Sequence, residues 1–169
     1  METETTKALE RWFRDNGGYL HPDVATSYSP AQGVHWRARA AIGSATTVSN
    51  VPHSLALSYL NALVDDAHPV FKQRQKAFGG VENIGFFYLM TQYIHKDTSF
   101  WRPYLECLPQ PTSYFTSPLW FDANEDLAWL EGTDVLHTIL GRKATYEQYY
   151  NAGVSILNQA GVDTEPYTW

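Results

Sequence analysis

Leu9, Trp12 and Phe13 recur at helical spacing between Thr3 and Asn16, and Gly17-Gly18 follows at once. That pattern predicts a short amphipathic helix with a glycine stop. Tyr19 to Gly33 carries Pro22 and Pro30 without clear periodicity and reads as loop. From Val34 to Ile42 the chain alternates, with Trp36, Ala38 and Ala40 against His35, Arg37 and Arg39, which predicts a strand. A second strand is expected over Thr46 to Val51, with Gly43-Ser44-Ala45 as the turn between the two and Pro52 as the stop.

Beyond Pro52 the spacing becomes helical. Ser54 is a candidate cap for Leu55 to Val64. Gly79-Gly80 precedes a longer helix over Val81 to Lys96, whose apolar face is expected at Phe86, Leu89, Met90, Tyr93 and Ile94. Asp97 to Pro118 is Pro-rich and is expected to hold a helical turn near Tyr104. Asp122-Ala123-Asn124-Glu125 and Thr145-Tyr146-Glu147-Gln148 both resemble capping boxes. The second would open a helix with Tyr146, Tyr149, Tyr150, Val154 and Leu157 on one face, ended by Gly161. The expected class is α+β, with a short β section followed by a mainly helical region. The division falls between residues 1–53 and 54–169. Two strands alone form a marginal sheet, so the β section wants further partners.

Charge and composition narrow the chemistry. A formal net charge of −6 argues against a nucleic-acid surface. No apolar stretch approaches the roughly 18 residues that suggest a membrane helix, and Met1 to Thr6 lacks the features of a secretory signal. One cysteine, Cys107, rules out a disulfide within the chain. Its apolar neighbours Leu105 and Leu108 favour a structural thiol over a nucleophile. The six histidines, His21, His35, His53, His68, His95 and His137, show no metal-ligand spacing, so no metal site is expected. Phosphate-binding glycine loops and serine-hydrolase elbows are also missing from the sequence. Asp65-Asp66 is a carboxylate pair, but adjacent residues point apart and read as surface charge. No catalytic residue emerges from the residues themselves.

Five ordered pieces carry a family resemblance. The first is Trp12-Phe13-Arg14-Asp15-Asn16-Gly17-Gly18, leading into Tyr19-Leu20-His21-Pro22. The second runs from Gly33-Val34-His35-Trp36-Arg37-Ala38 through Ala41-Ile42 to Val51-Pro52. The third and most specific is Ser99-Phe100-Trp101-Arg102-Pro103-Tyr104-Leu105-Glu106-Cys107-Leu108-Pro109. Pro118-Leu119-Trp120-Phe121 with Leu130-Glu131-Gly132-Thr133 is the fourth, and Tyr167-Thr168-Trp169 the fifth. Together they resemble SET-domain protein-lysine methyltransferases of the Rubisco large-subunit methyltransferase type, in the order that family keeps them.

The resemblance implies the N-terminal strands of a SET domain followed by a helical insert. It implies S-adenosylmethionine as methyl donor and a protein lysine as acceptor. By position, Gly33, Val34, His35 and Arg37 would bind the donor, the first three through backbone and Arg37 through its guanidinium. His35 stands where the family has a second glycine, which crowds the backbone approach. Arg37 reads equally as a charge on the outer strand face. The family's asparagine-histidine-serine (or -cysteine) element and its late catalytic tyrosine lie beyond the last piece, and these 169 residues contain no such element. The expectation is therefore the front portion of a methyltransferase, inactive alone, whose partner is a lysine-bearing protein or the absent SET half, with self-association as another way to cover apolar surface. A SET-derived binding module for a peptide or small molecule, or a small repurposed metabolic enzyme, stays open beside it. The expected location is cytoplasmic or nuclear, with neither nucleic acid nor membrane as partner.

Overall fold

A computed structural model of the protein describes residues 1–109 and 125–169. In chain order the elements are α1 (Glu4–Asp15), β1 (Tyr19–Leu20), β2 (Val24–Ser29), β3 (Gly33–Ala38), β4 (Ser49–Asn50), α2 (Tyr59–Val64), α3 (Val70–Gln73), α4 (Val81–Ile94), α5 (Arg102–Leu105), α6 (Glu125–Ala128) and α7 (Asp134–Gln159). The chain is α+β. It forms two compact units: Met1–Ser58 with His95–Leu108, and Tyr59–Ile94 with the described residues of Pro109–Trp169.

In the first unit, α1 starts on a capping box between Thr3 and Thr6. Its end satisfies two otherwise orphaned carbonyls. Gly18 N–H donates to Phe13 O at 2.8 Å and Gly17 N–H to Arg14 O at 3.1 Å, with Gly17 at φ +84°. Such a paired closure needs a left-handed residue, and glycine adopts that conformation without a Cβ clash. Glu10 and Arg14 then tie α1 to the β section. Arg14 donates to Leu20 O at 3.1 Å, and Glu10 accepts from Thr26 N–H at 3.4 Å.

The strands differ from the expectation. β2 and β3 form an antiparallel hairpin in the register Ser29↔Gly33 to Val24↔Ala38, while β1 pairs with β4 through Tyr19↔Asn50 and Leu20↔Ser49. The two strands expected around Gly43-Ser44-Ala45 do not pair with one another. A turn does form there, with Thr46 N–H on Gly43 O at 3.3 Å, but it joins irregular segments. The hairpin turn lies earlier, at Pro30-Ala31-Gln32, where Gln32 N–H reaches Ser29 O. Proline sets φ for the first turn position, and Gly33 at φ +65° returns the chain to the ladder. The prolines that suggested loop over Tyr19 to Gly33 thus bracket a strand. Its sequence, Val-Ala-Thr-Ser-Tyr-Ser, has no alternation because all four residues from Val24 to Ser27 are buried.

The third family-like piece builds the core beside α1. Leu105 is fully buried and Trp101 nearly so, with its indole N–H on Leu55 O at 3.2 Å. Phe100 meets Trp12 edge to face at 5.4 Å. Pro103 sits in the first turn of α5, where its missing N–H has no consequence.

The second unit is organised by α4. Its buried residues are Asn83, Ile84, Phe87, Tyr88, Thr91 and Gln92, so the expected face at Phe86, Leu89, Met90, Tyr93 and Ile94 is wrong. Apolar residues surround this helix, so periodicity cannot select a side. On the buried side Asn83 Nδ2 donates to Phe78 O at 3.1 Å and Thr91 to Phe87 O at 2.8 Å, while Asn83 Oδ1 is buried with no partner among the described residues. Phe71, Phe78, Tyr88 and Phe87 pack as a continuous ring cluster.

α7 also begins earlier than expected. Thr133 caps it, accepting from Leu136 N–H. The supposed box at Thr145 lies inside the helix, where the Thr145 hydroxyl donates to Gly141 O at 2.9 Å. A side chain that can cap a helix can also satisfy itself within one. The Pro118-Leu119-Trp120-Phe121 piece and the helix start at Asp122-Ala123-Asn124 lie outside the described residues. In the segment before Gly80 the expected Leu55 to Val64 helix is split, with a tight turn at His53–Leu55 and then α2.

Candidate functional site

The hairpin holds the residues that the sequence singled out. Gly33 follows the turn at the start of β3, and among the described residues an added Cβ there would meet nothing within 4 Å. His35 and Arg37 are two apart on β3 and share a face, while Val34 faces the other way. The His35 ring folds back, with Nδ1 at 3.0 Å from Gly33 O. Gly33 and His35 are therefore brought together, Arg37 follows along the same face, and Val34 is separated from them. Arg37 is exposed.

The backbone at this strand also has direction. Tyr28 exchanges both backbone bonds with Met1 on the outer side of β2, at 2.9 Å each. Tyr28 and its cross-strand partner Val34 are consequently a non-hydrogen-bonded pair. By the same alternation, Val34 and Trp36 turn their N–H and C=O groups away from β2. Among the described residues nothing bonds them, and the Trp36 side chain beside them is 52% exposed. The β3 edge is thus a row of free backbone donors and acceptors next to a guanidinium, suited to a ligand with both polar and carboxylate groups.

A second constellation, in the other unit, escaped sequence reasoning. Asp65 Oδ2 lies 2.8 Å from His68 Nδ1 and accepts from the Tyr88 hydroxyl at 2.9 Å, while Oδ1 accepts from Ala67 N–H at 2.9 Å. Burial pushes the Asp65 carboxyl up, but the bonds from His68, Tyr88 and the Ala67 amide outweigh it and hold the group below its ordinary value. Tyr88 is displaced upward, first by burial and then by the Asp65 carboxylate. The three-residue spacing of Asp65 and His68 was the available signal. Asp66, its neighbour, is exposed. The cluster contains no nucleophile and reads as a clasp between the α2–α3 connection and α4.

Other candidates are structural. Burial raises the Cys107 thiol, and its Sγ lies 3.9 Å from Thr5 O, so thiolate chemistry is disfavoured. Among the described residues no group of three His, Cys, Asp or Glu side chains is placed to hold a metal ion, and no helix is long and apolar enough to cross a membrane. Tyr167 is buried, with its hydroxyl 2.8 Å from Thr91 Oγ1 and its carbonyl accepting from Tyr150 at 2.7 Å.

Comparison with known protein families finds no match, and no solved structure matches the chain. Among curated proteins, the chain is similar to the chloroplastic fructose-bisphosphate aldolase-lysine N-methyltransferase of Arabidopsis thaliana. The two are 28% identical over 150 residues, which is 87% of this chain and 28% of that protein. The chain thus spans little more than a quarter of the relative's length. This likeness supports a distant relationship to protein-lysine methyltransferases.

Proposed function

We propose that these residues form the front portion of a SET-type protein-lysine N-methyltransferase of the Rubisco large-subunit methyltransferase type. The similarity to a lysine methyltransferase over 87% of the chain carries this reading. S-adenosylmethionine would supply the methyl group, and the acceptor would be the amine of a protein lysine. Such a reaction asks the protein to align a deprotonated amine with the methyl carbon and to exclude water.

The residues here suit one part of that task. The open Val34 and Trp36 backbone groups fit the amino-acid end of the donor, and the Arg37 guanidinium fits its carboxylate. Gly33 leaves the turn open to close approach. The His35 ring, held over Gly33 O, narrows the same space. This wall is one side of a site, and the alignment and deprotonation of the amine fall to residues outside it. The 169-residue segment alone is therefore expected to be inactive.

Calorimetric titration of the purified segment with S-adenosylmethionine is the direct test. A one-walled site buries little of a ligand, whereas good small-molecule sites bury about 70–90% of it. The expected dissociation constant is in the millimolar range or weaker, equivalent to about −4 kcal/mol or less favourable. A micromolar constant would refute the one-walled reading. Methyl transfer from labelled donor to candidate proteins by the segment alone would refute the inactivity. Reading the gene past the Trp169 codon tests the family assignment: a continuation with the asparagine-histidine element and a late tyrosine is expected.

A further inference from the structure

In the second unit, α4 and α7 flank an open cavity of about 490 Å³. That volume falls within the roughly 300–1,000 Å³ of small-ligand sites. One wall is Glu82 and Phe86, a helical turn apart on α4. The other is a stripe of α7 containing Gly141, Arg142, Tyr146 and Tyr149. Phe86 and Tyr146 meet edge to face at 5.7 Å, yet Phe86 remains 41% exposed and Tyr149 39%. Aromatic rings gathered at a surface, rather than in a core, form a platform for another apolar or aromatic group.

Two features point to what the platform takes. Glu82 and Arg142 carry opposite charges into the same cavity, and among the described residues neither side chain has an ion-pair or hydrogen-bond partner. The neighbouring Lys143 is engaged differently, with Glu147 at 3.8 Å. The second feature is glycine placement. A glycine inside a long helix weakens it relative to alanine and calls for a reason. Gly153 has one, because a Cβ there would stand 2.0 Å from the Phe87 ring. Gly141 has none among the described residues, since a Cβ there would meet nothing of theirs within 4 Å. The space above it belongs to the cavity.

We propose that this groove binds an aromatic side chain flanked by one cationic and one anionic group. The ring packs among Phe86, Tyr146 and Tyr149 over Gly141, the cation pairs with Glu82, and the carboxylate takes the Arg142 guanidinium. Both a free aromatic amino acid and a peptide with a basic and an acidic residue beside an aromatic one have this chemistry. The site is distinct from β3 and does not depend on a methyl donor.

The test uses the 169-residue chain labelled with nitrogen-15. It is titrated with L-tryptophan and with the blocked peptide acetyl-Lys-Gly-Trp-Gly-Glu-amide, using tryptamine and indole-3-propionate as single-charge controls. Saturable amide shifts centred on Gly141, Arg142 and Tyr149 are expected with tryptophan, the peptide or both. Whichever binds identifies the source as free amino acid or peptide. Glu82→Gln and Arg142→Met should each weaken binding about tenfold, as loss of a charged hydrogen bond does. Gly141→Leu should abolish binding while leaving the amide shifts around Gly153 in place, which separates a filled groove from a lost fold. No saturable shift with either probe would overturn the proposal. So would binding that ignores all three substitutions, or single-charge controls that bind as tightly as tryptophan.

Discussion

Two glycines in one helix make opposite predictions for the same substitution. Replacing an interior helical glycine with alanine gains about 1 kcal/mol when the new methyl has room. At Gly141 it has room, since among the described residues nothing lies within 4 Å of the new Cβ, so Gly141→Ala should stabilise the second unit by up to about 1 kcal/mol. At Gly153 the methyl would meet three atoms of Phe87 at 2.0, 2.3 and 2.6 Å. Phe87 cannot retreat easily. It is 2% exposed and faces the rings of Phe78 at 5.9 Å, Tyr167 at 6.0 Å and Tyr150 at 6.4 Å. Overpacking of this kind costs about 1–3 kcal/mol, which exceeds or cancels the helical gain. The net expectation for Gly153→Ala is a loss of up to about 2 kcal/mol, about one to three below Gly141→Ala. Urea unfolding of both variants, followed by far-ultraviolet circular dichroism, reads the difference as opposite shifts in midpoint. Phe87→Leu should recover part of the Gly153→Ala loss, because the two residues share the space. Equal stabilisation by both alanines would refute the packing of Phe87 on α7.

Asp65→Asn removes a carboxylate that accepts three bonds, and should cost about 1–3 kcal/mol near neutral pH. Because the folded carboxyl is held below its ordinary 3.8, its stabilisation is full above that value and is lost as pH falls through the lower folded value. The deficit of the variant should therefore shrink in acid; a deficit that grows in acid would contradict the clasp. Gly33→Ala should cost about 1–2 kcal/mol in thermal or urea unfolding, from left-handed backbone alone, since no atom crowds its Cβ. A neutral Gly33→Ala would mean the turn is not left-handed. Trp12→Phe removes a buried indole N–H that has no partner among the described residues, so it should change stability by less than about 1 kcal/mol. A loss of several kcal/mol there would mean that the indole is bonded.

The helices were legible where caps and breakers spoke clearly. Thr3 and the Gly17-Gly18 stop bound α1 because each satisfies specific backbone groups, and those requirements are local. The hairpin was not legible. β2 is buried at four successive residues, so its sequence loses the alternation that marks a half-buried strand. The exposed β3 keeps that alternation and so was found, but it was assigned the wrong partner. In α4 the reading failed for a related reason. With apolar residues all round, this helix offers no preferred face to its sequence pattern, and the buried side holds Asn83, Thr91 and Gln92 among its apolar residues. Asp65 was passed over because its significance depends on Tyr88, twenty-three residues away.

Several residues of the family-like pieces hold the fold. Trp101 and Leu105 of the third piece are core, and Trp101 bonds Leu55 O. Gly132-Thr133 starts α7 through the Thr133 cap. Tyr167 closes the α4–α7 core through Thr91 and Tyr150. Such residues are constrained by packing and backbone satisfaction, which resist change whatever the reaction. A resemblance built on them speaks to architecture first. The chemistry must then be argued from groups that the fold leaves unused. In the first unit those are the free edge of β3 and Arg37; in the second they are Glu82, Arg142 and the empty space over Gly141. The groove is lined by residues of the second unit alone, so Arg37→Met should leave the ligand-induced amide shifts at Gly141, Arg142 and Tyr149 unchanged. Loss of those shifts in Arg37→Met would refute a groove built from the second unit alone.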